Sequence, residues 1–292
     1  MTNKEREGFK ICAFNIQKFG VAKMKNEFVV DILIRILQRY DLILIQEVQD
    51  KSQKAYKSLL KKLNESSGRK YSSIISERLG RGRYKEQYLF LFVEDLVNVT
   101  DSYHFDDGSE EKGEDLFSRE PFIVRFSAPS LAIKDFVLVP IHAEPDNENT
   151  EENETVKELN ALYEVYKDVK NRCKTDDILF LGDFNAEGSY VAKKEFNDVR
   201  IFTDQNFEWL IGNDVDTTVG KSDRAYDRFV VCGESFKNAI VQNSAGSFKF
   251  DKEFGLDLES AKKVSDHYPI ELLIKYEEEQ AATRTCCQCS IS

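Results

Sequence analysis

The sequence is short of several things, and each shortage excludes something. No apolar run approaches the ~18 residues of a membrane-crossing helix. The first ten residues, MTNKEREGFK, carry five charges where a secretory leader would have an apolar stretch. Five prolines and fourteen glycines in 292 residues are too few for a low-complexity or extensively disordered chain. Excess positive charge is missing as well. The formal net charge is −11, so raw charge does not draw a polyanion to this chain. A phosphodiester substrate would need a divalent cation held in a carboxylate cluster, which inverts the local sign. Thiols are scarce in the body, where only Cys12, Cys173 and Cys232 occur. A small, odd set suits buried reduced thiols in a reducing compartment rather than a disulfide framework. The expected location is therefore cytoplasmic, not secreted.

What is present is enough for a large core. Hydrophobic residues make up 41% of the chain, with 21 Phe and 12 Tyr. Their pattern alternates between two periods. FKICAFNIQKF reads as a strand ending in a polar turn, and NEFVVDILIRILQRY places Phe28, Val29, Ile32, Leu33, Ile36 and Leu37 at helical spacing. DLILIQEV suits a buried strand, and SQKAYKSLLKKLNES an amphipathic helix stopped by Gly68. YSSII, QYLFLFV, PFIVRFSA and DFVLVPIH follow as strand candidates. A long helix over ENETVKELNALYEVYKDVKNR comes next, then strands at DDILFLGDF, YDRFVVCG and YPIELLIKY. Strands outnumber helices without strictly alternating with them. The architecture this predicts is α/β, a four-layer α-β-β-α sandwich of two mixed sheets with helices outside. One domain is expected over 1–276, followed by a polar tail over 277–292.

Polar residues cluster at the ends of the expected strands, where sites are built. Asn15 follows ICAF, Gln46 and Glu47 follow LILI, and Glu86 opens QYLFLFV. His142 follows VLVPI, Asp183 and Asn185 follow ILFLG, Asp227 precedes RFVV, and Asp266 and His267 precede YPIELLI. Two of only three histidines are in this set. Imidazole carries protons near neutral pH. Two histidines with carboxylates to orient them make a general acid and a general base. The remaining carboxylates and amides suit a hard cation such as Mg²⁺ or Mn²⁺. These parts describe metal-assisted hydrolysis of a phosphodiester. His104, in SYHFDDG, is expected among loop residues in a structural or surface role.

NIQKFG, QEV, YKEQYLFLF, IHAEP, GDFNAEGSYV, WLIG, DTTV, AYDR and SDHYPIE are all present. Together they resemble the deoxyribonuclease I family, within the endonuclease/exonuclease/phosphatase superfamily, over about residues 9–276. The resemblance implies the four-layer fold and a metal-dependent endonuclease. Such an enzyme cuts double-stranded DNA with little sequence preference, leaving 5′-phosphate and 3′-hydroxyl ends. It implies His142 and His267 as the catalytic pair, oriented by Glu86 and Asp227, with Asp183 and Asn185 positioning the scissile phosphate. Glu47, with Asn15 and Asp266, would hold the catalytic metal. Tyr84 and Arg119 would contact the groove and the phosphates. Two structural Ca²⁺ sites are implied, one through Asp107, Asp115, Phe117 and Glu120, the other through Asp216 and Thr218.

The departures from the family pattern share a direction. Gly188 and Arg224 stand where secreted members carry one disulfide, and Ser109 and Lys112 where they carry another. Gln17 and Gln49 replace two basic positions, which predicts weaker phosphate contact. Actin binding, found in one member, is not carried over, and a monomer without a dedicated protein partner is expected. The chain ends CCQCSIS, and Cys289-Ser290-Ile291-Ser292 matches the C-a-a-X prenylation pattern. One prenyl chain anchors weakly, and Cys286 and Cys287 would add palmitoylation as the second signal. The expectation is a nuclease tethered to a cytosol-facing membrane. The alternative is a tethered phosphatase or phosphodiesterase of the same superfamily acting on phosphoinositide or sphingomyelin.

Overall fold

A computed structural model describes residues 7–108, 115–146, 153–187, 190–192 and 194–277. Among them, strands β1 (Phe9–Phe19), β2 (Leu42–Val48), β3 (Tyr71–Ile75) and β4 (Leu89–Val93) join β11 (Gly246–Ser247) and β12 (Ile270–Ile274) in one sheet. Its order is β11-β12-β1-β2-β4-β3. The second sheet takes β5 (Asn98–His104), β6 (Phe122–Ser127), β7 (Asp135–His142), β8 (Ile178–Asp183), β9 (Glu208–Trp209) and β10 (Asp227–Cys232), in the order β5-β6-β7-β8-β10-β9. Both sheets are mixed, each with one parallel pair at its centre: β1 with β2, and β7 with β8. A parallel pair needs a crossover. Here the crossovers carry the helices Glu27–Leu37 and Glu154–Cys173, started by Asn26 and Asn153, whose side chains accept from Val29 N and Val156 N.

Period-two alternation builds the layers. Along β8, Leu179 and Leu181 face the core shared between the sheets. Ile178 and Phe180 face the helix Glu154–Cys173 with Leu159, Leu162 and Val165. The first sheet is covered outside by the helices Glu27–Leu37 and Lys54–Ser67. Full burial of each such Leu, Ile or Phe contributes about 1.5–3 kcal/mol. The four-layer sandwich expected from the pattern is what forms.

Three local differences matter. β5 is not among the expected strands because NVTDSYH lies at a sheet edge, has no fully buried residue and offers no apolar alternation to read. His104 therefore ends a strand instead of lying in a loop. Its ring stacks on Phe122 at 4.9 Å and its Nε2 accepts from Glu77 N, the structural role expected of it. Asn15 lies inside β1, not beyond its end, at a register shift against β2 between Asn15 and Phe19. Cys12, Cys173 and Cys232 are buried free thiols. No helix among the described residues is long and apolar enough to cross a membrane. The tail with Cys286, Cys287 and Cys289, together with Gly188, Ser109 and Lys112, lies outside the described residues.

Candidate active site

Strand register assembles the site before any side chain does. In the second sheet His142 pairs with Asp183 across β7 and β8, and Asp183 with Asp227 across β8 and β10. Neighbouring strands lie about 4.8 Å apart, so three polar residues stand in one row at the strand ends. Asp183 shares its face of β8 with the inward-facing Leu179 and Leu181, which aims the row between the sheets. His267 is brought to the row by a bridge to Thr218.

Each histidine has its own carboxylate. His142 Nδ1 lies 2.5 Å from Glu86 Oε1, and His267 Nδ1 lies 2.8 Å from Asp227 Oδ2. The opposite ring nitrogens converge, with Nε2 of His142 3.7 Å and Nε2 of His267 3.6 Å from the same Asp183 Oδ2. Burial works against an imidazolium at His142, yet Glu86, reinforced by Asp183, holds the ring above its ordinary value. Burial is likewise outweighed at His267, which Asp227, Asp183 and Asp266 push up to about 10. Glu86 is held below the usual carboxylate range because His142 and Arg119 outweigh its burial.

Asp183 is fixed on every side. Its Oδ2 accepts from Asn15 Nδ2 at 3.2 Å, its Oδ1 accepts from Asn185 N at 3.1 Å, and its own N–H donates to Gln46 Oε1 at 3.0 Å. Asn185 adopts φ 47 and anchors its amide by donating to Ala143 O at 2.8 Å. The residues expected to hold the metal are each tied to Gln17 or Lys18 near the end of β1. Gln17 N donates to Asn15 Oδ1, Gln17 Nε2 to Asp266 Oδ2, and Lys18 N to Glu47 Oε2. Glu47 and Lys18 both take left-handed backbone, φ 56 and 54, where the two parallel strands part. Asp266 Oδ1 is buried without a hydrogen-bond partner. An unmatched carboxylate oxygen, 3.9 Å from His267 Nε2, suits a hard cation with oxygen ligands. Asp183, Asp227 and His267 also offer ligand atoms within 4.8 Å of one another.

The other expected residues divide. Tyr84 is 87% exposed on the loop Arg78–Lys85. That loop also carries Arg81, Arg83 and Lys85 at the surface, with Arg81 paired to Asp115 at 2.8 Å, basic positions that the negative overall charge conceals. Arg119 does reach the site, but its charge is engaged: Nε donates to His142 O at 2.8 Å and Nη2 pairs with Glu144 at 2.9 Å. It bridges the strand end of His142 to Glu86, 3.4 Å from its Nε. Asp107, Asp115 and Glu120 gather within 4.8 Å. Burial and the neighbouring carboxylates push Asp107 up to about 6, the signature of like charges that a divalent cation would relieve. These residues fit the first structural Ca²⁺ site. Each site carries a basic partner on one carboxylate, since Arg81 Nε lies 2.8 Å from Asp115 Oδ2 and Lys249 stands on Asp216. The first keeps Asp107 and Glu120 as further carboxylates, whereas Asp216 is the single carboxylate of the second expected pair.

Sequence reasoning assigned no role to several residues that hold the site. Gln46 ties the sheets together, since Nε2 donates to Ile141 O at 2.6 Å while Oε1 accepts from Asp183 N. Thr217 Oγ1 accepts from Tyr226 N and Asp227 N, both at 3.1 Å. Ser265 Oγ donates to Asn15 O at 2.6 Å. Buried Glu158 accepts from Ser118 N and Glu144 N at 2.7 and 3.0 Å. Gln46 and Thr217 lie within QEV and DTTV, motifs already in view. Glu158 reads as one more polar position on a helix and carries no local signal.

The family model described as the endonuclease/exonuclease/phosphatase family matches residues 12–267. Rabbit (Oryctolagus cuniculus) deoxyribonuclease-1 is 46% identical over 91% of this chain and 92% of its own. The chain is a member of the deoxyribonuclease I family. Mouse (Mus musculus) deoxyribonuclease gamma is 45% identical over 91% of this chain and 84% of its own. Among solved structures, the human Nocturnin catalytic domain with bound sulfate superposes with a TM-score of 0.63 at 16% identity, covering 93% of this chain and 96% of that one. At that identity the likeness speaks for the fold alone.

Proposed function

We propose that this deoxyribonuclease is an endonuclease that hydrolyses phosphodiester bonds of double-stranded DNA to 5′-phosphate and 3′-hydroxyl ends, with little sequence preference. The observation that carries the reading is the convergence of two carboxylate-backed imidazoles on one point beside Asp183 Oδ2. In-line displacement at phosphorus needs a proton taken from the attacking water on one side and a proton given to the leaving oxygen on the other. Two histidines whose Nε2 atoms both approach Asp183 Oδ2 meet that need. Asp227 and Glu86 fix each ring through Nδ1, so Nε2 is the nitrogen presented to the reacting atoms. Asn15, Asn185 and Gln46 hold Asp183 against the phosphate's position.

Glu47, Asp266 and Asn15 would hold the divalent cation. When bound, it would polarise a phosphoryl oxygen and, by offsetting Asp266 and Asp183, lower the proton affinity of His267 so that the ring can act as a base. The exposed Tyr84 and the basic loop around it supply the local attraction that the whole chain lacks.

The test is nicking of supercoiled plasmid with Mg²⁺ and Ca²⁺ varied independently, run beside turnover of phosphoinositide and sphingomyelin. His142→Ala and His267→Ala are each expected to lower nicking by two or more orders of magnitude, about what general acid–base catalysis contributes, with unchanged circular dichroism. Undiminished nicking in either variant, or lipid turnover in place of nicking, would overturn the reading.

A further inference from the structure

The loop from Asp216 to Arg224 is held by a charge that comes from elsewhere in the chain. Lys249 Nζ donates to the Asp216 carbonyl oxygen at 2.6 Å and pairs with Asp216 Oδ2. Ser247 Oγ donates to the same carbonyl at 2.8 Å. The other carboxylate oxygen, Oδ1, accepts from Thr218 N at 3.0 Å and from Arg224 N at 3.2 Å, with Thr218 Oγ1 also 3.2 Å away. Thr218 Oγ1 lies 3.2 Å from Ser222 O as well. Two carbonyl oxygens, a carboxylate and a hydroxyl thus converge on one small region. That is a donor set of the kind calcium takes, with an ammonium on the carbonyl and Oδ2 of Asp216. The lysine is fixed there: its Nζ lies 4.0 Å from the centre of the Tyr268 ring and its side chain is only one-quarter exposed.

The same loop positions half of the active site. Thr217, next to Asp216, receives the N–H groups of Tyr226 and Asp227 on its hydroxyl. Its carbonyl accepts from Tyr268 N at 2.7 Å, and Val219 N donates to Asp266 O at 2.7 Å. A shift of Asp216 therefore moves Asp227, Asp266 and His267 together.

We propose that Lys249 replaces the structural cation of this loop, its ammonium occupying the position a calcium ion would take on Asp216, so that the Asp227–His267 half of the site is positioned without calcium. An ammonium and a calcium ion cannot share these two Asp216 oxygens, and the lysine has the advantage of being tethered. A bound ion stabilises only as far as its free concentration exceeds its dissociation constant. A side chain on the same chain is always present. Asp216 is held below its ordinary carboxylate value although its burial works the other way, and Lys249 with the Thr218 and Arg224 N–H groups is what holds it there.

Calcium bound to the full chain, counted by equilibrium dialysis and followed by thermal unfolding, tests this. The wild type and Asp216→Asn are expected to bind equal numbers of calcium ions. Lys249→Ala and the closer-sized Lys249→Gln are each expected to bind one more than the wild type. Adding Asp216→Asn to either should remove that ion and the calcium-dependent rise in Tm it brings. A wild type that loses an ion on Asp216→Asn, or Lys249 variants that gain no Asp216-dependent ion, would overturn the proposal. None of these outcomes bears on the nuclease reading, which plasmid nicking decides separately.

Discussion

Glu158 shows how much of this site is decided by single side chains outside it. Its carboxyl is 3% exposed and accepts the N–H groups of Ser118 and Glu144, which flank the two ends of the Arg119 network. Burial pushes it from 4.5 up to about 7, although the two N–H bonds and Arg119 pull the other way. An acid whose pKa is higher folded than unfolded contributes stability that is fully present below pH 4.5 and lost as pH rises through about 7. Two and a half pH units at ~1.4 kcal/mol each give a loss on the order of 3 kcal/mol. Chemical denaturation of the wild type and Glu158→Gln between pH 5 and 8 checks it. The stability of the wild type relative to the variant is expected to fall as pH rises, and a pH-independent difference would refute the assignment. Arg119 makes a related point. Arg119, expected to contact phosphate, is tied to His142 O, Glu86 and Glu144, so it positions the strand end that carries His142 whatever it does with phosphate.

At the scale of elements, the decisive feature is how closely the two sheets meet at the site. Gly182 sits in β8 at φ +124, one residue before Asp183. A Cβ there would lie 2.4 Å from Ile141 O and 2.7 Å from Gln46 Oε1. The first contact is with the parallel neighbour strand, the second with the side chain that bridges from β2. Gly182→Ala is expected to cost at least the 1–3 kcal/mol typical of a strained backbone position. It should also reduce nicking more than the stability loss explains, because Gln46 cannot then hold Asp183. Gly246→Ala, in β11 with nothing within 4 Å of the added carbon, is the neutral control. Thermal melts and nicking rates of both variants make the comparison. Equal behaviour of the two would show that the inter-sheet contact does not matter. The crossover helices illustrate the converse, because their caps and stripes are local and form where the pattern places them.

At the scale of the whole molecule, charge and address come into play. A chain of net charge −11 approaches DNA against its own field, and the basic loop Arg78–Lys85 is the local exception. The tail ending in Cys289-Ser290-Ile291-Ser292 lies outside the described residues, and anchoring through it remains an expectation from the motif. Fractionation of cells expressing the chain checks it. Membrane association is expected for the wild type and its loss for Cys289→Ser, while a variant that still sediments with membranes would refute prenyl-dependent anchoring.

The sequence by itself determined the order and kind of the main elements, since helical and strand periods are properties of neighbouring residues. It also marked the candidate acid–base residues, because YKEQYLFLF, IHAEP, AYDR and SDHYP place Glu86, His142, Asp227 and His267 at strand ends and only three histidines were available. It did not determine which of them would meet, or what would hold them. That His142 and His267 converge on one oxygen of Asp183 depends on register across separate strands. That Gln46 joins the sheets, that Arg119 is engaged, and that Lys249 stands on Asp216, 33 residues away in sequence, are likewise pairings between distant segments. Such contacts leave no periodic trace, because each exists only once packing has brought unrelated segments together.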